Sequence, residues 1–311
     1  MSRLRGVESA QLVTDRLLRE WPLPTLAPGA DKQARGDVLV LGGSREIPGA
    51  ALLAGEAALR AGAGRVRIAT AREVAHAAGT AFPEARVMGL PTTAAGELSG
   101  RGLRGVTEEL AVCTAMLLGP GMREQRAAVA VLAQARRVGA RSALVLDAAA
   151  LRVLRGQAVF ARGRLRGVVA TPHAGEMAEI WGCKRSEVER AALGLARAAA
   201  RALEVCIVLK GTETWIAAPD GRAFRNVAGN VGLATAGSGD CLAGLIAGLA
   251  ARGADEVQAA VWGVYLHARA GERLRRKHGL LGYLARELSA EVPPLLDALT
   301  PRRRPSARPR N

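Results

Sequence analysis

The segment ATAGSGDCLAGLIAGLAARG, residues 234–253, places two glycines directly before a strongly apolar, helical stretch. Gly237 and Gly239 have no side chains that would shield the backbone N–H groups at the positive end of that helix. Such an end binds anions, and a nucleotide phosphate is an anion that it suits. We therefore expect an anion hole formed by Gly237, Ser238 and Gly239.

Asp240 follows the second glycine, and an acidic residue at an anion-binding end needs a reason. One reason is structural, because aspartate is a common helix cap. The other is catalytic: a general base takes a proton from a substrate hydroxyl while the helix end holds the phosphoryl group. We favour the catalytic interpretation, because Gly244 and Gly248 also allow another backbone to pack closely behind this helix.

Upstream of this segment, short apolar runs alternate with stretches long enough for helices. Runs that are apolar on both faces and spaced in this way predict an α/β fold, with a mostly parallel sheet between two helical layers. The predicted strands are VLVLG at 38–42, RVRIAT at 65–70, MLLG at 116–119, ALVLD at 143–147, VVATP at 168–172 and CIVLKG at 206–211, followed by a β-hairpin in TWIAAPDGRAFRN and three helical segments ending near Leu299.

The two ends of the chain differ from this alternating body. Residues 1–34 predict a polar helix and then an extended lead-in, WPLPTLAPGA, because its three prolines disfavour a regular element. Residues 301–311, PRRRPSARPRN, have the composition of a disordered tail. We therefore expect an amino-terminal extension (1–34), one domain (35–300) and an Arg/Pro-rich tail (301–311).

The composition limits the classes of function. The net charge is +16, but only four of the 44 basic residues are lysines, so much of the charge reflects a general preference for arginine. The four cysteines are far apart and form no C-x-x-C pair, which argues against a zinc knuckle or a disulfide framework and fits a reducing compartment. No apolar run is long enough to span a bilayer, so we expect a soluble, cytoplasmic protein.

A second candidate segment is LKGTET, residues 209–214, at the end of a predicted strand. Open α/β sheets bind ligands at the carboxyl ends of their strands, and a lysine there is a natural partner for phosphate. A solvated surface lysine is the alternative. Because lysine is so rare in this chain, we favour a functional role for Lys210.

Other polar or glycine-rich turns follow further predicted strands. His173 lies in TPHAGE (171–176), where it either contacts a substrate or has a structural role, and Glu176 opens the next helix. Asp147 ends ALVLD and is placed either to reach a metal-bound phosphate or to serve structure. The turns GGS (42–44) and GPG (119–121) match neither the dinucleotide fingerprint nor the P-loop.

Taken together, these residues resemble the ADP/ATP-dependent NAD(P)H-hydrate dehydratases of the ribokinase-like superfamily. The resemblance covers residues 36–299 and implies a ribokinase-like, three-layer α/β/α fold. The matching pieces occur in the family's order: GGS with PGA at 42–50, GAG at 62–64, GPG at 119–121, LDAAAL at 146–151, TPHAGE at 171–176, VLKGTET at 208–214, GN at 229–230 and ATAGSGDCLAG at 234–244.

The resemblance also implies which residues bind each substrate. It makes Asp240 the catalytic base. The hydrated cofactor would contact Ala50, Gly121, His173 and Asp240. The adenine nucleotide would contact Lys210, Gly211, Thr212, Glu213, Thr214 and Gly239.

The implied reaction repairs NADH and NADPH to which water has added, at the S epimer. ADP or ATP is the implied co-substrate, with Mg²⁺ bridging nucleotide oxygens; the metal ligands stay unassigned. Relatives suggest a homotetramer, and many carry an epimerase domain for which 34 residues are too few, so a separate epimerase is the expected partner. The chain departs from the family's usual residues at Ile47, Ala149, Ala174, Val231, Ala236 and Glu272.

Two other functions stay open at this point. A ribokinase-like kinase for a thiazole, pyridoxal-like or sugar alcohol would use the same GSGD anion hole. A basic protein that binds nucleic acid would use the arginine-rich tail. TPHAGE followed by KGTET favours the repair enzyme over the kinase.

Overall fold

Every strand that the apolar runs predict is present in the computed structural model, which describes residues 10–25, 27, 29–159 and 167–300. Within these residues ten strands form one sheet. They are β1 Gln11–Leu12, β2 Asp37–Leu41, β3 Arg65–Ala71, β4 Arg86–Leu90, β5 Ala115–Leu118, β6 Ala143–Leu146, β7 Val168–Ala170, β8 Cys206–Leu209, β9 Thr214–Ala217 and β10 Ala223–Asn226.

The helices between these strands account for the predicted alternation. They are α1 Asp15–Glu20, α2 Gly49–Arg60, α3 Arg72–Ala81, α4 Thr107–Val112, α5 Arg126–Arg137, α6 Ala174–Trp181, α7 Arg185–Arg190, α8 Ala192–Leu203, α9 Ser238–Ala251, α10 Glu256–His278 and α11 Ala285–Leu299. Segments Gly100–Val106, Ala148–Val159 and Val231–Leu233 are 3-10 helices.

The strand order is β1-β10-β9-β8-β7-β6-β5-β2-β3-β4. All neighbours are parallel except β9, which is antiparallel to both β8 and β10. The sheet is therefore mostly parallel, as predicted, and β9–β10 is the predicted hairpin.

Alternate residues of each strand face opposite layers of helices, as the apolar runs require. In β2, Val38 and Val40 are buried in a core with α2, α9, α10 and α11. Leu39 and Leu41 are buried in a second core with α5, α6 and α8. This arrangement is the predicted three-layer α/β/α fold. In the part of the chain that the structure covers, no helix is long and apolar enough to cross a membrane.

Helices α2 and α9 approach each other through glycines. A Cβ atom built on Gly244 would lie 2.1 Å from the carbonyl oxygen of Ala54, and one on Gly248 would lie 2.4 Å from that of Ala58. Real Cβ atoms do not come so close to backbone, so these positions require glycine. The close packing that the sequence predicts behind Asp240 is confirmed, and it fixes the amino end of α9.

The segment before residue 35 packs onto the domain. Its β1 adds a parallel strand beside β10, an element that the sequence analysis did not predict. Leu18 of α1 is fully buried, and the ring of Trp21 stacks on Phe224 with 5.8 Å between centroids. The boundaries at residues 34 and 300 stay predictions, and the predicted tail, 301–311, lies outside the described residues.

Candidate active site

Three polar side chains from the carboxyl ends of neighbouring parallel strands form the centre of the site. Asp147 follows β6, Thr171 follows β7 and Lys210 follows β8. Asp147 Oδ1 accepts hydrogen bonds from the Thr171 hydroxyl at 2.7 Å and from Lys210 Nζ at 3.0 Å. The structure thus joins two residues that the sequence singled out separately, at the edge where such sheets bind ligands.

Lys210 faces two carboxylates. Besides Asp147, its Nζ lies 4.0 Å from Glu176 Oε2. Burial alone would lower the pKa of Lys210, but the attraction of Asp147 and Glu176 outweighs burial and raises that pKa. Lys210 is therefore a cation at neutral pH, which a phosphate-binding role requires.

The amino end of α9 faces the same cluster. A Cβ atom built on Gly239 would lie 3.5 Å from Lys210 Nζ and 3.9 Å from Asp147 Oδ2. Gly237 has a left-handed backbone with φ +88°, and a Cβ atom there would lie 2.5 Å from Leu53 Cδ1. The helix therefore needs glycine at 237, and the lack of a side chain at 239 leaves space between the helix end and the lysine.

The predicted anion hole consists of backbone amides in the first turn of α9. The Ser238 amide donates to the carbonyl of Thr235 at 3.2 Å, in the turn before the helix. Among the described residues, no backbone carbonyl accepts from the amides of Gly239 or Asp240. The amides at the amino end of a helix that lack such partners are the ones that bind an anion.

Asp240 is the third residue of α9, and the N-cap is Gly237, so the helix-cap interpretation of Asp240 does not hold. Burial raises the pKa of the Asp240 carboxyl to about 7, with a further rise from the charge of Asp147 and an opposing effect of Lys210. A carboxyl group that titrates near neutral pH is well matched to proton transfer. The buried position of Asp240 in the first turn of α9 and its raised pKa are therefore compatible with a general base.

Replacing Asp147 tests the electrostatic part of this description. We expect Asp147→Asn to lower the pKa of Asp240 below about 7, because a neighbouring negative charge is removed while burial remains. The measurement is a ¹³C NMR titration of the aspartate carboxyl carbons in the free protein. Asp220→Asn, which removes an exposed carboxylate in the β9–β10 turn, is the control. An unchanged Asp240 midpoint in Asp147→Asn would contradict the assigned coupling.

His173 has a definite structural role. It is the N-cap of α6, where its Nδ1 accepts from the amides of Gly175 and Glu176 at 3.0 and 3.2 Å. Glu176 in turn accepts from the amide of His173 at 2.8 Å. Because Nδ1 accepts, the neutral ring carries its proton on Nε2, which lies 3.6 Å from Glu176 Oε2, and 60% of the side chain stays exposed to a ligand.

The two glycine-rich turns bring Ala50 and Gly121 together. The Gly43 amide donates to the carbonyl of Pro120 at 2.6 Å, which joins the turns after β2 and β5. A Cβ atom built on Gly121 would lie 3.1 Å from the Cβ of Ala50. Ala50 lies in the first turn of α2, about one turn before the Leu53 side chain that approaches Gly237. These residues therefore border the α2 side of the amino end of α9.

A cavity of about 790 Å³ lies beside Lys210 and Gly239. Its wall includes the backbone turn after β8 and apolar side chains from α9 and α10. Of the predicted nucleotide contacts, Lys210, Gly211, Thr212, Thr214 and Gly239 line it. Glu213 does not: its carboxylate pairs with Arg225, with Nε to Oε2 at 2.7 Å.

His267 also belongs to the site, although nothing in the sequence singled it out. This residue of α10 is buried beneath the start of α9, and its Nε2 lies 3.0 Å from both the hydroxyl and the carbonyl oxygen of Ser238. Burial lowers the pKa of His267 to about 4, so the ring is neutral and supports the turn through hydrogen bonds. The histidine lies in the apolar part of α10, AAVWGVYLHA at 259–268, and no local sequence pattern links it to Ser238.

The departure at Ala236 causes no backbone strain. Within the described ranges only Ala148 and Glu204 among non-glycine residues have positive φ, so Ala236 takes an ordinary conformation. An alanine at 236 is therefore compatible with the anion hole.

The departure at Ala149 lies in another place, because this residue lines a cavity of about 300 Å³ next to Glu176.

Comparisons with known proteins agree with this geometry. A family model described as NAD(P)H-hydrate dehydratase matches residues 38–294. An "ADP-dependent (S)-NAD(P)H-hydrate dehydratase" of Xanthomonas campestris is 47% identical, over 92% of this chain and 96% of that protein. The crystal structure of an ADP/ATP-dependent NAD(P)H-hydrate dehydratase from Bacillus subtilis, co-crystallized with ATP/Mg²⁺, has a TM-score of 0.80 at 30% identity and covers 94% of this chain and 100% of that one.

A longer relative matches over part of its length. The "bifunctional NAD(P)H-hydrate repair enzyme" of Moorella thermoacetica is 38% identical over 88% of this chain, which spans 52% of that protein.

Proposed function

The chain belongs to the NAD(P)H-hydrate dehydratase family, and we propose that it uses ADP, or ATP, to convert the S epimer of NAD(P)H hydrate back to NAD(P)H. The products from the nucleotide are AMP, or ADP, and phosphate. The family match across residues 38–294 is the observation that carries this proposal, and it favours a lyase over the kinase and nucleic-acid alternatives. The buried carboxylate of Asp240, at the end of a helix with open amides, supports it.

The first step is transfer of a phosphoryl group to the hydrate. Asp240 takes the proton of the ring hydroxyl, whose oxygen attacks the terminal phosphorus of the nucleotide while the bond to the bridging oxygen breaks. The amide of Gly239 and the charge of Lys210 stabilise the negative charge that develops on the transferred group. This assignment rests on the Gly239 amide, which has no backbone acceptor among the described residues, and on the positive charge of Lys210.

The second step expels the phosphate. The ring nitrogen donates its electron pair as the carbon–oxygen bond breaks, and loss of a proton from the neighbouring ring carbon restores the dihydronicotinamide. We assign contacts with the hydrate to Ala50, Gly121 and the exposed edge of His173. The small residues at 50 and 121 support this assignment, because they leave room next to the amino end of α9.

We propose that Asp147 and Glu176 share Mg²⁺ with the nucleotide. Within the described residues no group of three or more histidine, cysteine, aspartate or glutamate side chains could hold a metal alone. Mg²⁺ commonly uses one or two carboxylates together with phosphate oxygens, and these two carboxylates flank Lys210, so they fit that pattern. When bound, the ion neutralises charge on the phosphate oxygens.

Several broader assignments are also proposals. The resemblance to the family implies an epimerase that supplies the S epimer to this chain, and the bifunctional relative supports a second repair activity beside the dehydratase. All four cysteines are free, which supports a cytoplasmic location. The homotetramer rests on the resemblance to the family.

The decisive experiment is an assay with purified protein, NADH hydrate, Mg²⁺ and either ADP or ATP. We expect the absorbance of reduced nicotinamide to return in step with free phosphate, only when a nucleotide is present. Asp220→Asn is expected to behave as wild type, because its carboxylate lies in an exposed turn. No recovery with either nucleotide would overturn the proposal, and a stable phosphorylated product would favour a kinase.

A further inference from the structure

The cavity beside Lys210 contains two asparagines, Asn226 and Asn230, each with a buried polar atom that lacks a partner. Among the described residues, neither Asn226 Oδ1 nor Asn230 Nδ2 has a hydrogen-bond partner. Asn226 is only 2% exposed. Buried polar groups are nearly always paired in folded proteins, so these two atoms are available to a ligand that enters the cavity.

The orientation of each carboxamide is fixed by its other atom. Asn226 Nδ2 donates to the carbonyl of Ala228 at 3.0 Å, and a flipped amide would place two acceptors face to face. Asn230 Oδ1 accepts from the Gly232 amide and from the Tyr283 hydroxyl, both at 2.9 Å. The cavity therefore offers one free acceptor, on Asn226, and one free donor, on Asn230.

The position of Asn226 relates it to the nucleotide loop. Asn226 lies directly opposite Thr214 in the antiparallel β9–β10 ladder. Opposed residues on such strands share a face of the sheet, so Asn226 lies on the same face as a proposed nucleotide contact. Between the two asparagines and α10 the wall is apolar, which suits a flat heterocyclic base better than a phosphate. The apolar side chains are Val227, Val231, Leu233, Leu242 and Val264.

We propose that Asn226 and Asn230 read the base of the nucleotide and select adenine. Asn226 Oδ1 accepts from the exocyclic amine, and Asn230 Nδ2 donates to an adjacent ring nitrogen. Adenine presents this donor and acceptor side by side, and an asparagine amide is a common partner for them. A base with an oxo group in place of the amine sets an acceptor against Asn226 Oδ1. This inference rests on the proposed use of an adenine nucleotide.

Ribose is the other part of a nucleotide that would form hydrogen bonds with Asn226 Oδ1 and Asn230 Nδ2. Its hydroxyl groups both donate and accept, so they would satisfy the same atoms without reading the base. The two assignments differ in one measurable way. Only base reading makes affinity depend on the amine and on a ring nitrogen of the purine.

The test measures binding of diphosphates to the wild-type protein by calorimetry, with Mg²⁺ and without the hydrate. The probes are ADP, inosine diphosphate, purine riboside diphosphate, and the 1-deaza and 7-deaza analogues of ADP. We expect loss of the amine, or of one of the two ring nitrogens, to weaken binding about tenfold, the value of one hydrogen bond made to a buried group. Equal affinity for ADP and purine riboside diphosphate overturns the inference and leaves ribose.

Variants of the two asparagines show which residue is responsible for each preference. Asn226→Ala is expected to bind ADP and purine riboside diphosphate alike, and Asn230→Ala is expected to lose the preference over one deaza analogue. Val227→Ala, which alters the same wall without removing a hydrogen-bonding atom, should keep both preferences. Retention of both preferences in the asparagine variants overturns the inference. If Asn226→Ala does not fold, the wild-type comparison and Asn230→Ala decide. If neither ADP nor ATP binds the wild type, the proposed function fails instead.

Discussion

Asp240→Asn is expected to lower kcat for hydrate dehydration about 10³-fold, the contribution of a general base in many enzymes. The amide has nearly the size of the carboxyl group but does not take the hydroxyl proton. ADP is expected to bind with close to the wild-type Kd, because the Gly239 amide and Lys210 remain. The measurement combines steady-state kinetics with calorimetric binding of ADP. Wild-type turnover in the variant would reject Asp240 as the base.

The same variant should be more stable than the wild type at neutral and alkaline pH. The pKa of Asp240 is about 7 in the folded protein and 3.8 in its ordinary state. Between these values the unfolded chain releases the proton while the folded protein keeps it, so wild-type stability falls as pH rises. Above about pH 7 both states are ionised and the difference stays constant.

Thermal unfolding at several pH values separates this effect from general damage. We expect Asp240→Asn to unfold at a higher Tm than the wild type at pH 8, and at the same Tm below about pH 4, where the carboxyl group is protonated in both states. A variant that is both inactive and less stable at pH 8 would show that the substitution disturbs the structure. Gain of stability with loss of turnover is the pattern of a carboxylate kept for catalysis.

The strands and the loops of the site were predictable because their signals are local. A run that is apolar at consecutive positions, such as ALVLD, indicates a strand in a sheet that helices cover on both faces. Strand β6 is such a strand. β1, with two residues, and the edge strand β4 have no comparable run, since edge strands need fewer apolar residues. The sequence therefore predicted the central sheet better than its edges.

The links between the loops were not predictable. Asp147 and Lys210 are 63 positions apart, and Ser238 and His267 are 29 apart. Asp147 and Lys210 are each marked by a strand end, but their pairing depends on which strands are neighbours in the sheet. His267 has no local signal, and its contact with Ser238 depends on how α9 packs against α10. The same holds for the pKa of Asp240, because burial and the charge of Asp147 arise only in the folded protein.

The ion pair between Asp147 and Lys210 leads to a second prediction with a large expected effect. We expect Lys210→Met to weaken ADP binding about 10- to 100-fold, because a charge-assisted bond to phosphate is lost. We also expect it to lower the free energy of unfolding by about 3 kcal/mol, since Asp147, whose side chain is only 5% exposed, loses its cationic partner and keeps only the neutral Thr171 hydroxyl. Calorimetric binding and chemical denaturation measure the two effects. Lys184→Met, at an exposed position, is the control and should change neither.

The double variant Asp147→Asn/Lys210→Met separates the two losses. With the buried charge removed, Thr171 still has an acceptor, and we expect most of the lost unfolding free energy to return. ADP binding should stay weak, because nothing replaces the lysine at the phosphate and the proposed Mg²⁺ ligand Asp147 is lost as well. If the double variant is as unstable as Lys210→Met alone, then packing of the lysine chain, and not an unpaired carboxylate, accounts for the loss. If Lys210→Met binds ADP like the wild type, then Lys210 serves the fold and not the nucleotide.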